Sequence, residues 1–178
     1  MYHRPALLQH TIELLAVRKG GTYVDLTFGG GGHSAAILHL LGDGRLLAFD
    51  QDPDAAANVP EDDRFLLIQE NFRFFGHFLR YHQAWPVDGI LADLGVSSHQ
   101  FDEASRGFSI RLDGPLDMRM NPAGGPDAAT LVNTLDQSAL QHLMREYGEL
   151  PQAGRIASAL IKARELQPID TTARLREV

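Results

Sequence analysis

The chain has 178 residues, 44% hydrophobic and 22% charged, which suits one ordinary globular domain or one domain with a small appendage. It has no cysteine, excluding disulfides and cysteine-ligated zinc, and no stretch approaches the roughly 20 apolar residues that a bilayer crossing requires. A formal charge of −7 argues mildly against a nucleic-acid partner, although a local basic patch overrides the sum.

The start, Met1-Tyr2-His3-Arg4-Pro5, lacks the apolar run of a signal peptide, so a cytosolic protein is expected. Over residues 6–17, Leu8, Ile12 and Leu15 fall at helical spacing, with Pro5 suited to a first turn and Gly20-Gly21 as the stop. Residues 22–27 read as a strand, followed by Phe28 and four consecutive glycines. Helical spacing resumes over 35–41 and stops at Gly42-Asp43-Gly44. Short apolar strands are expected at 45–49, 65–69 and 87–91, the first closing on Asp50 and the last followed by Asp93. Strands of this length alternating with helical stretches predict parallel βαβ units.

The character then changes. Residues 95–125 are rich in Gly, Ser, Asp and Pro and read as one long loop, a feature that in compact domains is usually functional or disordered. Leu140, Leu143, Met144 and Tyr147 mark an amphipathic helix with Asp136 as its N-cap. A second helix is expected over 151–165, and Thr171 or Thr172 should cap a third. Acids concentrate before residue 104, whereas Arg106, Arg111, Arg119, Arg145, Arg155, Lys162, Arg164, Arg174 and Arg176 follow it. That layout suits a cofactor held early and a polyanion held later, and equally a solvated mixed-charge surface.

The most specific local signal lies at residues 25–34 (DLTFGGGGHS), between a strand and a helix. Glycines there allow a tight turn and close approach of a ligand to the backbone. Asp50 ends the next strand, where a carboxylate can accept hydrogen bonds from ribose hydroxyls. Together they point to an adenosine-containing cofactor at the carboxyl ends of parallel strands. A dinucleotide fingerprint would place its third glycine at Ser34, so that match is imperfect. Asp25 would sit badly beside a pyrophosphate and well beside a methionyl ammonium, which favours S-adenosylmethionine. His33 reads either as a ligand contact or as a residue of the helix start. The remaining histidines show no metal-ligand spacing, and no metal is expected.

With these residues placed, the chain resembles the bacterial 16S ribosomal RNA N4-cytidine methyltransferases called RsmH, formerly MraW. The resemblance runs from Tyr2 to Val178, and its most specific blocks are residues 25–34, 48–53 (AFDQDP) and 88–98 (DGILADLGVSS). Residues 106–109 (RGFS) and 113–120 (DGPLDMRM) follow in the family's order. The resemblance implies the Rossmann-like α/β core of class I S-adenosylmethionine-dependent methyltransferases with a helical inserted subdomain. Residues 1–104 would form the N-terminal part of that core, and residues 105–178 an active-site loop and a helical substrate-recognition subdomain. Family members run on past the position of Val178, and such a sheet normally has seven strands where four are read here. The chain also departs from the family at His99, where proline is usual, and over residues 148–153.

By position, the family's cofactor contacts carry over to Gly31, Gly32, His33, Asp50, Phe72, Asp93 and Gln100. From the residues alone, Phe72 is either an aromatic face for adenine or a core side chain. The implied reaction is in-line displacement of the sulfonium methyl by the cytosine exocyclic nitrogen, with the base flipped out of its stack. Asp93 is the expected organiser of the amine and Asp117 the next candidate, both able to accept its protons. Phe101 and Phe108 could stack on bases, and Arg106, Arg111 and Arg119 could meet phosphates. The implied partner is 16S ribosomal RNA, within the small ribosomal subunit, with no membrane and with a homodimer left open. Two other readings are a nucleotide-dependent oxidoreductase and a non-catalytic RNA-binding or ribosome-assembly module.

Overall fold

The computed structural model describes Pro5 and residues 7–178, so the helix start expected at Ala6 and the segment from Tyr2 to Arg4 lie outside the described residues. The chain divides into two compact units, Met1–Ser97 and Ser98–Val178.

The first unit is built on four parallel strands, β1 (Thr22–Asp25), β2 (Arg45–Phe49), β3 (Phe65–Ile68) and β4 (Gly89–Leu91), in the order β3-β2-β1-β4. Successive strand residues point to opposite faces, so the nearly continuous apolar run of each strand fills two layers at once. Tyr23, Leu46 and Leu91 pack on one face with Ile37, Leu38 and Leu41. Those three side chains belong to helix α2 (Gly32–Leu41), and Ile12 and Leu15 of helix α1 (Leu8–Leu15) join them. Val24, Leu47, Phe49 and Ile68 fill the other face with Ala84 and with Leu79 of helix α3 (Phe75–Tyr81). Ile37 and Leu79 are both 0% exposed, worth about 2–3 kcal/mol each in buried apolar area. The strand order leaves β2 and β3 on one side of β1 and β4 on the other. In open parallel sheets, that reversal opens a crevice at the carboxyl ends of the strands, where ligands bind.

Several boundaries differ from the sequence expectation for local reasons. Helix α1 stops at Ala16, which takes a left-handed conformation, well before Gly20-Gly21. Strand β1 ends at Asp25 because the Asp25 carboxylate accepts the Thr27 N–H and turns the chain. Helix α2 starts three residues earlier than the apolar spacing suggests, on Gly32 itself. Helix α3 was not expected; Asn71 opens this segment by accepting the Arg73 N–H at 2.9 Å, and Leu79 anchors it.

The second unit is helical: α4 (Ser98–Asp102), α5 (Ala128–Thr134), α6 (Gln137–Glu146), α7 (Ala153–Leu166) and α8 (Thr172–Glu177). Its core is Leu116, Val132, Leu140, Ala157, Leu160 and Ile169. Side-chain caps set three helix starts: Asp127 accepts from Thr130 N, Asp136 from Ala139 N and Thr171 from Arg174 N. The long segment expected as a loop contains α4 and a 3-10 turn at Ala104–Arg106, and it is tied down rather than loose. Pro115 bridges Thr171, Leu116 N–H donates to Asp170 O, and the Leu116 side chain is buried. Among the described residues, no helix is long and apolar enough to cross a membrane.

Candidate functional site

The glycine turn between β1 and α2 is held from beneath and from the side. Gly29 and Gly31 have φ of 49° and 75°, and a Cβ on Gly31 would press against the Phe28 ring. Around Gly29, by contrast, the space a Cβ would enter is open. Phe28 N–H donates to Phe49 O, which carries the turn over the end of β2. Asp50 Oδ2 accepts the Gly29 N–H at 2.7 Å, and its Oδ1 accepts the Asp52 N–H at 2.9 Å. Asn58 Nδ2 donates to Gly29 O at 3.0 Å. The ribose-type acid and the glycine turn are therefore one hydrogen-bonded piece at the carboxyl end of the sheet. Burial pushes the Asp50 carboxyl above its ordinary range, while the Asp52 and Gly29 N–H groups hold it back.

Asp25 does not meet the expectation placed on it. It is 0% exposed, with Oδ1 taking the Thr27 N–H and Oδ2 the Ser34 hydroxyl at 2.7 Å. A carboxylate with no accessible surface braces the turn and cannot face a ligand's ammonium group. Burial raises its pKa, against the Ser34 and Thr27 hydrogen bonds that lower it. Ser34, where a dinucleotide fingerprint would place its third glycine, donates its hydroxyl to the buried Asp25. Sequence reasoning marks Ser34 only as a departure from the glycine pattern, and it passes over Thr27 and Asn58.

Of the positions carried over by resemblance, Gly31, Gly32 and His33 lie on the turn and the start of α2, Asp50 follows β2 and is hydrogen-bonded to the turn, and Asp93 lies on the loop after β4. Asp93 N–H donates to Thr27 Oγ1 at 2.8 Å, and Asp93 Oδ2 lies 4.0 Å from His33 Nδ1. His33, second residue of α2, is buried, whereas Asp93 is exposed. Phe72 follows β3 in a segment linked to the end of β2 by an Asn71–Gln51 hydrogen bond of 3.0 Å. Phe72 is 36% exposed, so core burial does not account for it. Gln100, on α4, belongs to the second unit and is buried there.

The candidates for RNA contact fare unequally. Arg106 was expected to meet phosphate, but it is 6% exposed and its guanidinium donates to Arg119 O and Met120 O. Arg119 grips Asp117 through Nε and Nη2, which holds the Asp117 carboxyl below its usual range. Asp117 is thus an anion already satisfied by its neighbour, which argues against its taking a proton in a reaction. Arg111, Phe101 and, in part, Phe108 remain open to solvent.

A family model described as the MraW methylase family matches residues 1–178. The Ribosomal RNA small subunit methyltransferase H of Bacteroides fragilis is 51% identical over 178 residues, covering 99% of this chain and 59% of that protein. The protein of the same name from Flavobacterium johnsoniae is 53% identical over 178 residues, again covering 99% and 59%. The chain therefore spans 59% of the length of these two relatives.

Proposed function

The chain belongs to the MraW methylase family, and from that premise we propose that it serves transfer of a methyl group from S-adenosylmethionine to the exocyclic N4 of a cytidine in 16S ribosomal RNA. The proposed setting is the small ribosomal subunit in the cytoplasm. The observation that carries the reading is the Asp50–Gly29 hydrogen bond, which joins a hydroxyl-accepting carboxylate to a glycine turn at the carboxyl ends of parallel strands. The name shared by the B. fragilis and F. johnsoniae relatives supports the RNA substrate. An oxidoreductase is not favoured by a methylase family, and a non-catalytic RNA-binding module has no observation in its support.

S-adenosylmethionine would supply a methyl group already activated by its sulfonium. The chain's own residues then bind and orient. Gly31, Gly32 and His33 would line the methionyl side, Asp50 would accept the ribose hydroxyls, and the exposed Phe72 ring would pack on adenine. Gln100 is a proposed cofactor contact on the resemblance alone. Asp93, exposed and pinned through its N–H, is better suited than Asp117 to accept a proton from the cytosine amine. Phe101 and Phe108 would stack on RNA bases and Arg111 would meet phosphate, whereas Arg106 is proposed as a structural residue and Arg119 as the partner of Asp117.

The test is incubation of the full-length protein with methyl-labelled S-adenosylmethionine and bacterial small subunits, then nucleoside mass spectrometry. Label in N4-methylcytidine is expected. Label elsewhere refutes the substrate, and no label from a protein that binds S-adenosylmethionine refutes the activity.

A further inference from the structure

In the second unit, the segment after the buried Ser109 forms an exposed tip. Ile110 is 80% exposed and Leu112 45% exposed, with the open Arg111 between them. The backbone of the tip is nevertheless held from two sides. Ser109 Oγ accepts the N–H groups of Arg111 at 3.3 Å and Leu112 at 3.2 Å. From α8, Thr172 Oγ1 donates to Leu112 O at 3.2 Å and Ala173 N–H donates to Asp113 Oδ1 at 3.0 Å. Thr172 N–H donates to Gly114 O, and Arg176 Nη1 donates to Ile110 O at 2.9 Å. Fixing a backbone costs conformational entropy. Here it is fixed around an apolar side chain that stays in solvent, which is the arrangement of a contact surface.

Charge indicates the partner. Arg111 follows Ile110 directly, and the Arg176 guanidinium sits at the Ile110 carbonyl; both side chains belong to exposed residues. That one carbonyl bond leaves further Arg176 N–H donors for another acceptor. The nearby anions are engaged within the unit: Asp113 accepts the Ala173 N–H, and Glu177 pairs with Arg174 at 3.3 Å. An apolar point beside two guanidinium groups complements a base stack bordered by phosphates, and it does not complement a purely apolar protein groove.

We infer that Ile110 is an RNA wedge: it enters the base stack at the place the target cytidine vacates, while Arg111 and Arg176 meet phosphates beside it. The inference rests on the function proposed above, in which the cytidine leaves its stack. Isoleucine has no π face for a base to stack on and few side-chain rotamers, so it holds bases apart where Phe101 or Phe108 would stack with them. A wedge also needs a fixed mount, because a loose loop would yield before the stack did. The hydrogen bonds from Ser109, Thr172 and Arg176 supply that mount.

Two measurements on the full-length protein test this. In the first, Ile110→Cys is treated with a thiol reagent, alone and with bound small subunits, and the unsubstituted protein controls for other thiols. The new thiol should react freely in the protein alone and about tenfold more slowly with subunits bound. A thiol already shielded in the protein alone overturns the inference, because the rest of the chain or a second copy then covers the tip. A thiol that bound subunits leave reactive overturns it too. In the second, single-turnover methyl transfer compares subunits carrying ordinary 16S RNA with subunits whose RNA lacks the base next to the target cytidine, where unstacking is already easy. Ile110→Ala should slow transfer to the ordinary RNA about tenfold and to the abasic RNA less than about twofold. Equal slowing on both overturns the wedge, as does no slowing on either. Arg176→Gln keeps a donor for Ile110 O and should lower the salt dependence of RNA binding by about one ion; an unchanged slope overturns its phosphate contact. The Tm of Ile110→Ala should stay within about 2 °C of wild type, since an exposed side chain contributes little to the fold. A wild-type protein that transfers no methyl group refutes the proposed function; the thiol reaction, which needs no transfer, still decides whether the tip meets RNA.

Discussion

Replacing Asp50 by alanine should separate what this carboxylate does for the fold from what it does for a ligand. In the fold it accepts two N–H groups, from Gly29 at 2.7 Å and Asp52 at 2.9 Å. Hydrogen bonds to a charged acceptor contribute about 1.5–3 kcal/mol each. Two corrections reduce that sum: water can reach the half-buried turn, and burial already disfavours the ionised Asp50. A net loss of about 1–2 kcal/mol, or a Tm lower by about 3–6 °C, is expected. Two ribose hydroxyls bound by the same carboxylate would contribute about 3 kcal/mol to affinity, so Asp50→Ala should weaken S-adenosylmethionine about 100-fold. Asp50→Asn keeps one acceptor oxygen and should fall between, at about tenfold. Isothermal titration of wild type and both variants, with NAD as the comparison ligand, measures this directly. Wild-type affinity in a folded Asp50→Ala would refute the placement of the ribose at Asp50, and preferential binding of NAD would refute the choice of cofactor.

Three further outcomes follow from the same geometry. Arg106→Met should cost about 2 kcal/mol, because two backbone carbonyls lose a charged donor. A phosphate contact would instead leave Tm unchanged and lower the salt dependence of RNA binding by about one ion. In Asp25→Asn the buried ionisable group is removed while partners for Thr27 N–H and Ser34 Oγ remain. Because burial raises Asp25 above 3.8, its ionisation takes stability from the wild type as pH rises from 3.8 through the folded value. The variant's Tm relative to wild type should therefore climb across that window and level off above it; a flat difference would contradict the burial argument. Leu160→Ala, at a position 2% exposed in the second unit's core, should cost about 3 kcal/mol in denaturant unfolding.

Legibility from sequence tracked how local the cause was. The four strands and the caps at Asp136 and Thr171 could be read because apolar spacing and a short polar side chain act within a few residues. The Gly29–Asp50 unit could be anticipated because strand, turn and acid recur at a fixed spacing. Helix α3 could not, since the run Phe72-Arg73-Phe74-Phe75-Gly76-His77-Phe78 carries weak helical preference, and burial of Leu79 against the sheet outweighs it. Residues 95–125 read as a loop because their partners lie far along the chain: Leu116 with Asp170, Gly114 with Thr172, Asp113 with Ala173.

Sequence by itself determined the α/β class, the cofactor-type turn and, through its ordered blocks, the family. Those features rest on periodicity and on residue types at short separations. Only the tertiary structure decided which charged side chains are available for chemistry. Asp25, Arg106 and Asp117 look like ligand or catalytic groups in one dimension, yet each is consumed by a neighbour: Ser34, the carbonyls of Arg119 and Met120, and the guanidinium of Arg119. Asp93 stands out for the opposite reason, its carboxylate open to solvent beside His33. Their separation of 4.0 Å is made by the β1–β4 pairing and the start of α2, and a pair sixty residues apart in the chain becomes a unit only when the sheet forms.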